Sequence, residues 1–262
     1  MSSISILSTI LSTRTPGMRK SLLRYYGVPG RIALFTRLYS QFVGRGDLCF
    51  DLGAHVGDRI RAWTRLGARV VALEPHPAFA DLLDRWYGGR SDVTLLNEAV
   101  GARPGVTHLF ISQKNPTLST LSPEWIHAIQ RSRQFRGIEW ETTVQVGVTT
   151  LDCLIHEYGL PVFCKIDVEG YELEVLNGLS DAIPALSLEY NPAVPDIALG
   201  CISRLTELGE YEFNWTVREL PRFRSSAWLD PDSMGAELRK LPLEARTGDV
   251  YARLLSKTWS AA

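Results

Sequence analysis

The chain has 262 residues, of which 45% are hydrophobic and 22% charged, and its formal net charge is −1. This composition excludes a disordered chain and is typical of a globular protein with one large domain, alone or with a small appendage. The near-neutral charge gives no overall attraction to nucleic acid. No apolar run approaches the ~20 residues of a membrane span, so we expect no transmembrane segment.

We predict that residues 1–46 form a basic helical cap, set apart from a second region over residues 47–262. They contain seven Lys or Arg residues and no Asp or Glu. Residues 17–45 show helical spacing, and Pro29-Gly30 divides them into two short helices. The opening SSISILSTIL has no basic region ahead of it, which indicates a frayed or docking segment and not a signal peptide. The arginines either cover one edge of a sheet or face an anionic substrate or surface.

Strands and helices then alternate. Strands are predicted at Leu48–Leu52, Arg69–Leu73, Val93–Val100, His108–Ser112, Thr142–Val148, Val162–Val168, Ala185–Tyr190, Tyr211–Val217 and Val250–Leu255. Helices are predicted at Asp58–Leu66, Pro77–Tyr87, Pro123–Arg131, Thr150–Tyr158, Tyr171–Leu176 and Pro195–Leu208. The alternation predicts an α/β fold with a doubly wound, mostly parallel sheet and an antiparallel strand near its end. The long loop Gln113–Glu141 is a candidate lid or binding segment.

The stretch from Leu48 to Glu74 predicts a strand, a glycine turn, a helix and a second strand that ends on an acid. Such a unit holds a nucleoside-containing cofactor at the carboxyl ends of its strands. The glycines are spaced Gly53-x-x-x-Gly57, and His55 stands where a dinucleotide site needs its middle glycine. The imidazole would obstruct a pyrophosphate, and the neighbouring acids Asp51 and Asp58 would repel it. The residues therefore favour S-adenosylmethionine, which has no phosphate, over a nicotinamide cofactor.

Each part of S-adenosylmethionine has a candidate partner. Asp51 can accept hydrogen bonds from the ammonium, and the backbone of the turn at the helix start can receive the carboxylate. Glu74 can accept from both ribose hydroxyls. The end of the third strand should lie near the adenine. The full set of predicted cofactor-binding residues is Asp51, Gly53, Ala54, His55, Gly57, Asp58, Glu74, Pro75, Asn97, Glu98, Ala99 and Asp167.

Six motifs are spread from Leu48 to Leu255: FDLGAHVGD, ALEPHP, LNEAVG, TTLD, CKIDVEGYELEVLNGL and GDVYARL. This series resembles the FkbM family of S-adenosylmethionine-dependent methyltransferases. The resemblance implies a class I, Rossmann-like fold with seven strands. It also implies methyl transfer, most often to an oxygen of a sugar, a polyketide or another secondary metabolite. The family usually has a small polar residue, often asparagine, where this chain has His55. Residues 1–45 and Pro221–Thr247 fall outside the family pattern and are candidates for acceptor choice.

The predicted catalytic residues are Asp167, Lys165 and Glu189. Asp167 ends a buried strand at the edge where doubly wound sheets bind ligands, and Lys165 points to the same face. A hydroxyl acceptor needs a base or a metal. Asp167 is the first candidate for the base, although Lys165–Asp167 could also be a structural ion pair. Asp167 with Glu189 or Asn191 could bind Mg²⁺ through oxygen ligands, but the sequence does not define a metal site.

Other residues leave alternatives open. The loop around His127 has a Ser/Thr-rich part that could cover the site. A wall for a sugar or an anion could be formed by Trp140, Trp215, Trp228, Arg218, Arg222 and Arg224, which could equally be packing residues. Rival functions are N-methylation of an amine or peptide, a nicotinamide-dependent oxidoreductase, and a scaffold without turnover that docks a partner or an anionic lipid surface.

We expect a small-molecule or carbohydrate acceptor and no nucleic acid partner, and a homodimer stays open. The four cysteines show no CxxC spacing, which argues against disulfides and zinc and fits a reducing cytoplasm. The predicted location is therefore cytoplasmic.

Overall fold

The computed structural model describes residues 9, 15–218, 220–257 and 259. The opening segment SSISILSTIL lies outside these residues apart from Thr9. The strands are β1 Leu48–Leu52, β2 Arg69–Leu73, β3 Val93–Leu96, β4 Glu98–Val100, β5 Gly105–Ile111, β6 Thr142–Thr149, β7 Phe163–Ile166, β8 Ala185–Tyr190, β9 Tyr211–Trp215 and β10 Gly248–Leu254. The α-helices are α1 Pro16–Tyr26, α2 Arg31–Tyr39, α3 Asp58–Arg65, α4 Pro77–Tyr87, α5 Pro123–Ile129, α6 Leu151–Tyr158, α7 Glu172–Asn177, α8 Pro195–Leu208 and α9 Pro231–Arg239.

Seven strands form one sheet in the order β3-β2-β1-β7-β8-β10-β9. Strand β10 runs antiparallel to both of its neighbours, and the other neighbouring strands are parallel. The predicted doubly wound, mostly parallel seven-stranded sheet is therefore confirmed. The chain moves outward from β1 to β3 and then returns to β7 on the other side of β1. The carboxyl ends of β1 and β7 consequently border the switch point, where open α/β sheets bind ligands.

The single strand expected at Val93–Val100 was wrong, because the chain changes sheets at Asn97. Strand β3 pairs with β2 as far as Leu73 and Leu96, where β2 ends. Beyond that point the large sheet offers no partner, and β4 pairs with β6 in a second sheet of order β4-β6-β5. This change of sheet places the start of β4 beside the carboxyl ends of β2 and β3.

Helix α9 was not predicted, although its start carries a recognisable signal. Asp230 caps the helix by accepting a hydrogen bond from the Ser233 N–H at 2.9 Å, and Pro231 occupies the first turn. Met234 and Leu238 are buried against the core. The helix lies within Pro221–Thr247, the segment outside the family pattern.

The two predicted N-terminal helices are present, and both pack on the sheet domain. In α2, Phe35 and Tyr39 join a core cluster with Trp63 and Phe163. In α1, Leu22 packs in a cluster of buried residues beside the glycine turn that follows β1. The division into a cap over residues 1–46 and a domain over residues 47–262 stays a prediction. Within the described ranges, no helix is both long enough and apolar enough to span a membrane.

Candidate active site

A cavity of about 880 Å³, which we call the cofactor cavity because the sequence predicts that the cofactor binds there, lies at the carboxyl ends of β1, β2 and β7. Most of the predicted site residues line it: Asp51, Gly53, Ala54, His55, Asp58, Glu74, Pro75, Glu98, Ala99, Lys165 and Asp167. Three others lie elsewhere. Gly57 packs behind the turn, Asn97 is exposed between β3 and β4, and Glu189 lines an adjoining outer cavity.

The glycine turn after β1 is held against both neighbouring strands. The N–H groups of Gly53 and Ala54 each donate to the Leu73 carbonyl at 2.9 Å, at the end of β2. Gly53 has φ +80°, and a Cβ at this position would lie 2.0 Å from the Asp167 carbonyl oxygen. Only glycine allows this approach. The turn after β1 is therefore held in close contact with the residues that follow β7.

Glu74 has a second role that the sequence did not indicate. Its carboxylate accepts hydrogen bonds from the backbone N–H of His55 at 2.6 Å and from that of His76 at 2.9 Å. Burial raises the pKa of Glu74 to about 7, although the two N–H donors oppose the shift. Each carboxylate oxygen has a second lone pair. Glu74 can therefore orient the turn and still accept from two ribose hydroxyls.

Asp51 is a buried carboxylate without a hydrogen-bond partner. Its side chain is 1% exposed, and among the described residues neither oxygen has a partner. Burial raises the pKa of Asp51 to about 7, against the opposing effect of the Lys165 charge. An unpaired buried carboxylate is costly for the folded state. A cationic group in the cavity would satisfy it, so the site fits the ammonium of S-adenosylmethionine.

His55 adopts a left-handed conformation with φ +50°. Asparagine and histidine are among the non-glycine residues that tolerate this region best, so the turn can hold a histidine at this position. The imidazole Nε2 lies 3.1 Å from the Ser21 hydroxyl of α1, and the ring stands edge-on to Tyr25 and Phe79. His55 thus connects the cofactor turn to the N-terminal helix.

Lys165 and Asp167 form an ion pair with a 2.5 Å separation between Nζ and Oδ2. Burial alone would raise the pKa of Asp167, but the charge and hydrogen bond of Lys165, together with Arg59, bring it below its ordinary value. Asp167 is therefore ionised at neutral pH. Arg59 was not predicted as a site residue, because nothing in its position at the start of α3 indicates that it is buried next to this pair.

Asp167, Glu169 and Glu189 form a cluster of carboxylates between the two cavities. One oxygen from each lies within 4.8 Å of the others. Burial, followed by the charges of Glu169 and Asp167, raises the pKa of Glu189 well above its ordinary value. The cluster can share a proton, and its spacing also suits a divalent cation, so the Mg²⁺ prediction stays untested. Asn191 instead accepts from the Ala193 N–H at 3.0 Å.

The long loop folds over the end of β7, as a covering segment would. Thr117, Ser119 and Thr120 line the cofactor cavity, and the Thr120 hydroxyl donates to the Glu169 carbonyl at 2.7 Å. Trp125 packs against Gly170 so closely that a Cβ there would lie 2.1 Å from its ring. His127 lines neither of the two cavities. Tyr25 lines both, and no local signal in α1 predicted this.

Together, the sheet and the cavity at its switch point define a class I, Rossmann-like architecture. The family model for the methyltransferase FkbM domain matches residues 51–201, more than half of the chain. The chain therefore belongs to the FkbM methyltransferase family, and it is an S-adenosylmethionine-dependent enzyme. This membership decides against the nicotinamide oxidoreductase. No curated protein sequence matches the chain significantly.

Solved methyltransferase structures also resemble the chain. Precorrin-6y C5,15-methyltransferase from Geobacter metallireducens GS-15 is 13% identical, with a TM-score of 0.43 and coverage of 85% of this chain and 87% of that chain. An S-adenosylmethionine-dependent O-methyltransferase from Thermotoga maritima is 11% identical, with a TM-score of 0.40 and coverage of 98% and 73%. Fibrillarin from Aeropyrum pernix, solved with bound S-adenosylmethionine, is 11% identical, with a TM-score of 0.39 and coverage of 84% and 72%. These similarities carry no information about the acceptor.

Proposed function

We propose that this enzyme transfers a methyl group from S-adenosylmethionine to a hydroxyl oxygen of a sugar or another natural product. One observation carries the proposal: Glu189, with its raised pKa, lies beside the ionised Asp167 where the cofactor cavity meets the outer cavity. Two carboxylates with pKa values pushed apart are suited to different roles in proton transfer. An amine acceptor would need less help from a base.

The cofactor-binding roles follow from the geometry of the turn. Asp51 would receive the ammonium, and Glu74 would accept from the ribose hydroxyls. Bound S-adenosylmethionine supplies an electrophilic methyl group on its sulfonium. The remaining wall of this cavity includes Glu98, Ala99 and Leu109, which are available to the adenosine end.

The residues at the junction would carry the acceptor chemistry. The acceptor hydroxyl would donate a hydrogen bond to the ionised form of Glu189, which takes the proton as the new oxygen–carbon bond forms and the carbon–sulfur bond breaks. The raised pKa makes Glu189 a stronger base than an ordinary carboxylate. Asp167, held by Lys165, would keep its charge and orient the hydroxyl. The alignment of the oxygen with the methyl–sulfur bond then supplies much of the rate.

Two kinds of measurement test the proposal. Calorimetry should show that S-adenosylmethionine binds to the native enzyme and that Glu74→Ala weakens binding strongly. Mass spectrometry with a panel of sugars, glycosides and amines should detect the gain of one CH₂ unit on a hydroxyl. Glu189→Gln should lower turnover by roughly 10²–10⁴-fold while retaining cofactor binding. Glu237→Gln is the matched control, because Glu237 lies on α9 and lines neither cavity.

Two results would contradict parts of the proposal. Full turnover of Glu189→Gln would remove Glu189 as the base, and methylation confined to amines would replace O-transfer with N-transfer. Loss of turnover on adding a chelator, with recovery on adding Mg²⁺, would assign the carboxylate cluster to a metal instead.

We also propose a cytoplasmic location, which the free state of all four cysteines supports, and a small-molecule acceptor without nucleic acid.

A further inference from the structure

The outer cavity has a volume of about 1520 Å³ and an uneven charge distribution. It shares Tyr25, Pro116, Thr117 and Glu169 with the cofactor cavity, so the two spaces adjoin. Its lining includes five cationic side chains and two carboxylates: Lys20, Arg24, Lys114, Arg218, Arg246, Glu169 and Glu189. Both carboxylates belong to the cluster at the junction with the cofactor cavity. The cationic side chains therefore make the remainder of the cavity electropositive.

The cationic residues come from segments far apart in sequence. Lys20 lies on α1, Arg218 follows β9, and Arg246 precedes β10. The Arg218 N–H donates to the Thr247 carbonyl at 2.6 Å, which ties the last two segments together. Lys20 faces the long loop, where its ammonium lies 3.5 Å from the Asn115 side-chain oxygen. The tertiary fold therefore brings cationic residues from α1 and the β9–β10 region to one cavity.

Three of these cationic residues form what we call the basic rim: Lys20, Arg218 and Arg246. In the part of the chain that the structure describes, none of the three has an ion-pair partner. All three are exposed. Lys114 is not included, because it lies close enough to Glu141 to add to the lowering of that carboxyl's pKa, which is caused mainly by the hydrogen bond from the Gln113 N–H. Like charges that line one cavity repel each other unless an anion lies between them. The charges of the basic rim therefore favour the binding of an anion in the outer cavity.

We propose that the acceptor carries a phosphate-type anionic group, as a phosphorylated or nucleotide-linked sugar does, and that the basic rim binds this group. The inference rests on the proposed hydroxyl methylation. Guanidinium groups pair with phosphate through two parallel hydrogen bonds. The carboxylate cluster repels an anion from the junction and accepts from a hydroxyl there. The separation of positive and negative charge along the cavity would therefore determine the orientation in which the acceptor binds, as well as its affinity.

Calorimetric titration with inorganic pyrophosphate tests the basic rim directly. The enzyme is saturated with S-adenosylhomocysteine, and the native chain is compared with Arg218→Gln, Arg246→Gln and the control Arg69→Gln. Arg69 is exposed at the amino end of β2, lines neither cavity, and its substitution removes the same charge. We expect each rim variant to weaken binding about fivefold or more, and added salt to weaken it further. Arg69→Gln should bind like the native chain.

Pyrophosphate that binds the rim variants and Arg69→Gln equally well, or that does not bind the native chain at millimolar concentration, would overturn the inference. Acceptor assays separate this failure from that of the proposed function. Equal methylation of neutral sugars and their phosphates, insensitive to the rim variants, would reject the anionic acceptor and leave O-methylation in place. Transfer confined to amines would reject O-methylation, and the pyrophosphate titration would still decide whether the basic rim binds anions.

Discussion

Asp51 and Lys165 are register partners on the neighbouring parallel strands β1 and β7, yet they form no ion pair. Lys165 is paired with Asp167 instead, and both oxygens of Asp51 lack a hydrogen-bond partner among the described residues. Next to Asp51, the site therefore contains two pairs of opposite charge, Lys165–Asp167 and Arg59–Asp58, and neither pair includes Asp51. This arrangement leaves a negative charge uncompensated where the positive end of the cofactor would bind.

Asp51→Asn should consequently stabilise the free protein and weaken cofactor binding. The amide removes a charge that burial disfavours, so we expect a gain of roughly 1–3 kcal/mol in the free energy of unfolding above pH 7. The same change removes the proposed partner of the cofactor ammonium and should weaken S-adenosylmethionine binding at least tenfold. Denaturant unfolding and calorimetry measure the two effects. A destabilised variant with unchanged affinity would contradict both.

The pKa values of Asp51 and Glu74, both raised to about 7, predict opposite pH trends for stability and binding. Because the folded state retains protons that the unfolded state loses near pH 4, these groups make the free protein less stable as pH rises from about 4 to 7. Cofactor binding needs the ionised carboxylates, so affinity should rise from about pH 6 to about pH 8, on both sides of these pKa values, and level off only at higher pH. Calorimetry at pH 6, 7 and 8 tests this. A flat affinity profile would exclude titration of these carboxylates.

The same pH series with Asp51→Asn isolates one of the two carboxylates. The rise in affinity with pH should become shallower, since only Glu74 still titrates. An unaltered slope would assign the whole effect to Glu74 or to another group.

Local sequence signals were sufficient to predict that the proposed cofactor-binding residues Asp51, His55 and Glu74 lie together in one cavity. Asp51, His55 and Glu74 lie within one βαβ unit, where spacing along the chain determines their relative positions. The division at Asn97 was not predictable, because it depends on where β2 ends and on the availability of β6 as a new partner. Only long-range packing determines such a change.

The acceptor side was harder to predict for the same reason. The strand end at Glu189 suggested a place near the cleft, and the basic composition of residues 1–46 suggested an anionic ligand. However, the outer cavity combines α1, the long loop and the segments around β9 and β10. No spacing along the chain indicates that Lys20 and Arg246 line one cavity. The contact of α1 with His55 likewise depends on tertiary packing.

Gly53→Ala should disrupt the site far more than a glycine substitution of similar backbone geometry. The added Cβ would lie 2.0 Å from the Asp167 carbonyl oxygen, and the residue has φ +80°. We expect a loss of about 3 kcal/mol or more in the free energy of unfolding, with loss of cofactor binding. Gly46 has φ +84°, but a Cβ added there would meet no atom within 4 Å, so Gly46→Ala should cost only about 1 kcal/mol. If Gly53→Ala and Gly46→Ala lowered the thermal stability equally, the positive φ alone, and not the contact with Asp167, would cause the loss.

His55→Asn should preserve the cofactor turn and loosen its connection to α1. Asparagine tolerates the left-handed conformation at φ +50°, so the backbone N–H can still donate to Glu74. The imidazole contacts with Ser21 and Phe79 are lost, which should lower the unfolding free energy by about 1–2 kcal/mol. S-Adenosylmethionine affinity should stay within a few-fold of the native value. His55→Val is the contrasting variant.

A β-branched residue disfavours positive φ, so His55→Val should strain the turn and weaken both stability and cofactor affinity more than His55→Asn does. Ser21→Ala provides a second comparison, since it removes the hydroxyl partner of His55 without altering the turn. If Ser21→Ala and His55→Asn lower stability by similar amounts and neither affects affinity, the imidazole serves to hold α1. If His55→Asn alone abolishes cofactor binding, the ring contacts the cofactor, and its role in packing α1 is secondary.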